Sequence, residues 1–248
     1  MWPCYSPGCA TSGTEPVQDP VTRMDIDALV HDAFAYTREA LWEQWVRWFR
    51  LLIACIIFPV FLGYSLRIYR GDDPAPDPEG WIGLFIDGVK LFLIKAIYLV
   101  PVLALLVAAF LLTLPFFALM FTEYAVQSML ALVSIGGTAL LVILTVWLLL
   151  MLLSTIGVIR FARTGRMREA FRARAILGDI RAIGWGNYLL ALTILWLISM
   201  IFHAGVALFY SVPFAGWVVA LFLMPAWRMY SVRFTALIYE QGVAGSPS

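Results

Sequence analysis

Charge is what this sequence has least of. Only 13% of its 248 residues are charged, against 62% apolar, and the mean hydropathy is +0.87. A soluble domain carries about 25% charged and about 45–50% apolar residues. Folded in water, this chain would have to cover its own surface with hydrocarbon, so a soluble globule is excluded. The formal net charge of +1 leaves no electrostatic footprint for nucleic acid. Cysteine is scarce as well. Cys4 and Cys9 lie in a Pro/Gly/Ser-rich stretch and Cys55 in an apolar run, which makes neither a disulfide framework nor a zinc site. With two histidines in all, His31 and His203, a histidine-based catalytic site has few parts to draw on. The sequence also lacks a phosphate-binding glycine loop ending in Lys-Ser/Thr, a His-Glu-x-x-His pair and a Gly-x-Ser-x-Gly elbow. No cofactor or metal site is expected.

What the chain has instead is long runs without charge. Between Lys95 and Glu123 lie 27 such residues, between Glu123 and Arg160 lie 36, and between Arg181 and Arg228 lie 46. A helix rises about 1.5 Å per residue, so the hydrocarbon layer of about 30 Å needs about 20 apolar residues. Backbone amides in lipid need internal partners, and without period-two alternation a barrel is excluded, so these runs are helices. The first predicts a span at Leu91–Leu114, with Pro101 inside and Pro115 at or beyond its end. The second is about 54 Å long as one helix, and Gly136-Gly137 is expected to break it, leaving Thr138–Ile159 as the span. The third predicts two spans, Tyr188–Tyr210 and Trp217–Val232, joined by a turn at Ser211–Gly216.

Leu51–Leu66 is ambiguous. Its 16 residues, interrupted by Pro59, reach only about 24 Å, as a short crossing or as a re-entrant hairpin turning at Phe58-Pro59. Before it, residues 25–49 predict an amphipathic interfacial helix, with Ile26, Val30, Phe34, Leu41, Trp45 and Trp48 recurring at helical spacing. The fold class is thus all-α: a polytopic membrane helix bundle of about five spans plus amphipathic interfacial helices. Residues 1–23 are expected to form a disordered tail rather than a signal peptide, and Met24 before Asp-Ile-Asp could also serve as a start. Residues 24–50 form the interfacial helix, 51–242 the membrane bundle and 243–248 a second tail.

Fifteen of the seventeen basic residues are arginine, and their placement sets the expected orientation. Seven fall between residues 160 and 181: Arg160, Arg163, Arg166, Arg168, Arg172, Arg174 and Arg181. The positive-inside rule puts that loop, and with it the C-terminus, in the cytoplasm of a cell-membrane protein. Mixed with Phe161, Met167, Phe171, Ile176 and Ile180, these arginines have the composition of a helix on an anionic leaflet, or of a docking surface for a protein partner.

A few polar residues stand out against the apolar background. Asp87 and Lys90 are spaced to pair on one helix face, and Lys95 lies about one turn deeper, where it could snorkel or pair. Glu123, with Tyr124 and Gln127, marks the outer end of a hairpin. His203 is the one titratable group of its run and is expected to bond to a neighbouring helix. The loop Gly71–Gly80 gathers Asp72, Asp73, Asp77 and Glu79, but its three alternating prolines predict a solvated, extended spacer rather than a calcium loop.

The order of several motifs resembles a known family. They are Gly63-Tyr-Ser-Leu-Arg-Ile-Tyr-Arg-Gly71, Gly83-Leu-Phe-Ile-Asp-Gly-Val-Lys-Leu91 running into Ile97-Tyr-Leu-Val-Pro101, and Arg160-Phe-Ala-Arg-Thr-Gly-Arg-Met-Arg-Glu-Ala-Phe171. Asn187-Tyr-Leu-Leu, Val212-Pro-Phe-Ala-Gly-Trp217 and the closing Ala236-Leu-Ile-Tyr follow. Together, from Asp25 to Gly242, they are similar to the prokaryotic, largely archaeal membrane family catalogued as domain of unknown function 4013. The resemblance implies a membrane bundle of this topology and transfers no catalytic residue. The expected function is that of a non-enzymatic integral membrane protein, a scaffold or a binder of lipid or partner. A small-solute permease or channel is the alternative, and an intramembrane enzyme a second one. Oligomeric state is left open.

Overall fold

The computed structural model describes residues 24–210 and 214–244; the 1–23 tail, the residues 211–213 of the expected outer turn, and 245–248 lie outside it. The described chain is helical, with no strand among the described residues. The helices are α1 (Ile26–Leu41), α2 (Trp45–Ile56), α3 (Phe58–Arg70), α4 (Trp81–Leu119), α5 (Ala125–Thr164), a short 3₁₀ turn (Met167–Phe171), α6 (Ala173–Ile183), α7 (Trp185–Phe209) and α8 (Ala215–Ala244). Helices α4, α5 and α7 are long and apolar enough to cross a membrane by length and composition. Their surfaces say the same: 6%, 11% and 11% of their most apolar windows are buried within the protein. An apolar rod left that bare needs lipid around it.

The all-α class is as expected, but among the described residues three helices rather than about five are long and apolar enough to cross, α8 not being one of them, and several boundaries differ. Helix α5 runs unbroken for 40 residues, about 60 Å, straight through Gly136-Gly137. A Cβ at either position would meet nothing within 4 Å, so no packed neighbour rewards a bend there, and in an apolar medium breaking the helix would strand backbone amides. Both Pro101 and Pro115 are held inside α4, which continues to Leu119. Helix α8 continues past Val232 to Ala244. Leu51–Leu66 is divided at Ile57 between helices of 12 and 13 residues, about 18 and 20 Å long, so no single rod crosses there. The interfacial helix is divided too, at Trp42–Gln44, where Glu43 has φ 64°.

The core is gathered at one end. Helix α3 lies antiparallel against the start of α4: Gly63 faces the Leu84 backbone and Gly88 faces the Pro59 carbonyl. The last turns of α5 (Ile156, Ile159, Phe161) pack there with α6 (Ile176, Ile180), α1 (Leu29, Ala33) and the second half of α8 (Phe234, Ile238). Helix α1 turns Leu29, Ala33, Tyr36 and Ala40 inward and leaves Phe34 exposed, so its buried stripe is offset from the expected one. From this base the remainder of α4, α5 and α7 continues with its leucines uncovered.

The acidic loop is a strap rather than a free spacer. Asp73 accepts from Arg233 at 2.9 Å, Asp77 pairs with Arg47, and Arg67 donates to the carbonyls of Asp77 and Glu79 at 3.1 and 3.0 Å. Tyr36 donates to the Asp72 carbonyl, and the Arg233 guanidinium lies over the Tyr36 ring at 4.6 Å. The sequence cannot show this, because the three cations come from three different helices. Asp77 is 60% exposed, so Asp77→Asn is expected to lower stability by no more than about 1 kcal/mol. Unfolding in detergent measures it; a loss of several kcal/mol would make this pair a structural centre.

Candidate functional site

Several of the polar residues legible in the sequence bond within the fold. Asp87 accepts from Lys90 at 3.1 Å, as its spacing predicts, and from Arg70 on α3 at 3.4 Å. Glu123 is exposed in the turn between α4 and α5. His203 bonds through Nδ1 to the Ser199 carbonyl of its own helix at 2.7 Å, while its ring meets Trp227 of α8 edge-on. The expected bond to a neighbouring helix is therefore a ring contact instead. Ser134, Thr138 and Thr145 are exposed and donate to carbonyls of their own helix.

The seven arginines divide into two groups. Arg160 bridges Glu169 at 3.0 Å and Asp179 at 2.6 Å, with all three side chains at most 20% exposed. Arg163 pairs with Glu240 at 2.8 Å and lies over the Tyr239 ring, and Arg172 bonds to Glu169. Hydrogen bonds from Arg172 and Arg160 hold the Glu169 carboxyl below the usual glutamate range. Arg166, Arg168, Arg174 and Arg181 are exposed and form no ion pair among the described residues. The segment is not one helix. Gly165, at φ 69°, ends α5, and a 3₁₀ turn precedes α6, which buries Ile176, Ile180 and Ile183.

Lys95 differs from the rest. It opens into a cleft of about 380 Å³ between α4, α5, α7, α8 and the end of α3. No carboxylate lies within ion-pair distance of it among the described residues. Arg228 on α8 is likewise without an ion pair among the described residues. Four hydroxyl groups at the cleft already donate to backbone: Tyr98 to Ala170, Ser154 and Thr155 to Met151, and Thr235 to Ser231. The other walls are apolar, among them Leu99, Val102, Trp147, Met151 and Leu195. Sequence reasoning singled out Lys95 and missed Tyr69, Ser154, Thr155 and Thr235. A hydroxyl in an apolar run carries no signal of its own; only the side-by-side packing of these helices brings the five groups together.

No curated protein and no solved structure matches this chain. Most of the helices that line this cleft, the acidic strap and the basic segment fall in one continuous stretch. A family model described as protein of unknown function (DUF4013) matches that stretch, residues 50–211, and the chain belongs to that family.

Proposed function

We propose that this is a non-enzymatic membrane protein that works by binding lipid, with its basic segment on the cytoplasmic leaflet. The observation that supports this reading is the division among the arginines. Arg160, Arg163 and Arg172 are tied into the base, whereas Arg166, Arg168, Arg174 and Arg181 extend from it beside the half-exposed Phe171 and Trp185. Uncommitted guanidinium groups next to aromatic side chains suit the headgroup zone of an anionic leaflet. The positive-inside rule then puts this segment and the C-terminus in the cytoplasm. The same four cations could receive an acidic protein partner.

The test is lipid selectivity of the full chain reconstituted in equimolar phosphatidylglycerol and phosphatidylcholine. Each cation near an anionic surface contributes about 1 kcal/mol, so the four together contribute up to about 4 kcal/mol, and replacing all of them by glutamine should reduce phosphatidylglycerol enrichment by roughly tenfold or more. Salt should weaken the enrichment in the parent. Equal enrichment in parent and variant overturns the reading. A small-solute permease is the second reading, and the polar end of the Lys95 cleft is what favours it.

A further inference from the structure

The cleft at Lys95 has a chemical bias that its lining defines. Lysine offers three N–H donors and no acceptor, and no hydrogen bond or ion pair engages Lys95 among the described residues. The Tyr69 hydroxyl is likewise without a hydrogen bond among the described residues. The Tyr98, Ser154, Thr155 and Thr235 hydroxyls have already directed their protons at backbone carbonyls. The donors still to be met on the cleft lining are therefore an ammonium and a phenol. Lys95 is exposed rather than buried, so its ammonium faces the open cleft, and at hydrocarbon depth a cation without a counter-ion is costly. Around this cationic end the walls are hydrocarbon: Leu99, Val102, Leu150, Leu192 and Leu195. The volume, about 380 Å³, falls in the range of about 300–1,000 Å³ typical of small-molecule sites.

We infer that this cleft binds an anionic amphiphile, with a carboxylate or phosphate head on Lys95 and Tyr69 and a hydrocarbon tail along Leu99, Val102 and Leu195. A bare inorganic anion would leave the apolar walls unused, and a neutral or cationic amphiphile would leave Lys95 without a partner. The inference deepens the lipid-binding reading and rests on it, but it concerns a different part of the protein from the four exposed arginines.

The experiment uses the full chain in phosphatidylcholine nanodiscs and a diazirine-bearing fatty acid as photo-probe, with an alkyl-trimethylammonium of equal chain length as control. Adducts are mapped by mass spectrometry of peptides. The carboxylate probe should label residues around 99–102 and 192–195, and the cationic probe should not. A charge-assisted hydrogen bond contributes about 1.5–3 kcal/mol, so Lys95→Gln should reduce this labelling roughly tenfold or more, while Lys95→Arg retains most of it. Unlabelled oleate and phosphatidic acid serve as competitors; whichever displaces the probe at lower concentration identifies the source as free fatty acid or phospholipid. Circular dichroism and size-exclusion elution confirm that Lys95→Gln remains folded. Labelling indifferent to Lys95→Gln, or equal labelling by the cationic probe, overturns the inference. So does displacement by inorganic phosphate as effective as by the amphiphiles, which would point to a small-anion site and the permease reading. Unchanged phosphatidylglycerol enrichment in the four-arginine variant beside Lys95-dependent labelling fails the surface reading alone; lost enrichment beside labelling indifferent to Lys95→Gln fails the cleft inference alone.

Discussion

Substituting alanine for Gly88 is expected to separate α3 from α4 and destabilise the base by several kcal/mol, although alanine is the better helix former. In the interior of an unencumbered helix, glycine to alanine gains up to about 1 kcal/mol. Here a Cβ would stand 1.6 Å from the Pro59 carbonyl oxygen and 3.0 Å from the Gly63 nitrogen. Both are backbone atoms of α3, so no side chain can swing aside and the two helices must part. Helix α3 buries Val60, Phe61, Leu62, Tyr64, Leu66 and Ile68, and much of that contact loosens with it. Overpacking usually costs about 1–3 kcal/mol; with backbone on both sides, about 3–5 kcal/mol is expected. Thermal unfolding in detergent measures the loss. Gly83→Ala on the same helix is the control, because nothing lies within 4 Å of its Cβ position, and it should be neutral or gain up to about 1 kcal/mol. A Gly88→Ala midpoint at or above the parent would disprove the close approach.

Arg160→Met is the second large effect. The guanidinium joins the carboxylates of Glu169 and Asp179, drawing together the end of α5, the 3₁₀ turn and α6. Removing it leaves two carboxylates near each other with little water. Breaking a buried pair from one side costs about 3–5 kcal/mol; with an Arg160 side chain 17% exposed, about 2–3 kcal/mol is expected. Arg160→Lys should recover only part of this, since a single ammonium lacks the planar fork that reaches two carboxylates at once. The parent should also lose stability on the acid side. Hydrogen bonds from Arg172 and Arg160 lower the Glu169 carboxyl below its unfolded range. Its contribution is therefore complete above the ordinary glutamate pKa and declines as pH falls through the lowered value. Arg160→Met should flatten that decline, though not remove it, because Arg172 still pairs with Glu169. A pH series of unfolding midpoints for both chains decides it.

The motifs that suggested a family have concrete packing roles. Gly63 and Gly88 are the two sides of the α3–α4 contact, Asp87 is shared by Arg70 and Lys90, and Thr164-Gly165 is the turn that ends α5. The i,i+3 pair of Asp87 and Lys90 was legible because one helix supplies both partners. The pairing of Arg70 with Asp87 was not, nor were Asp73 with Arg233 and Arg163 with Glu240, whose partners stand 160 and 77 residues apart. Gly136-Gly137 misled in the opposite direction, since a glycine pair breaks a helix only where water or a neighbour offers the freed amides something better.

By itself, the sequence determined that this chain is a set of apolar helical rods with basic flanks. That is a local property: the free energy of placing a segment in hydrocarbon adds up residue by residue, and so does the demand that its amides bond internally. Tertiary structure alone decided which glycines touch backbone, which carboxylate holds the acidic strap to α8, and that Lys95 opens into a cleft with Tyr69 and Thr235. Those outcomes depend on distances of a few ångströms between residues far apart in the chain. Packing sets such distances, and composition and periodicity do not encode them.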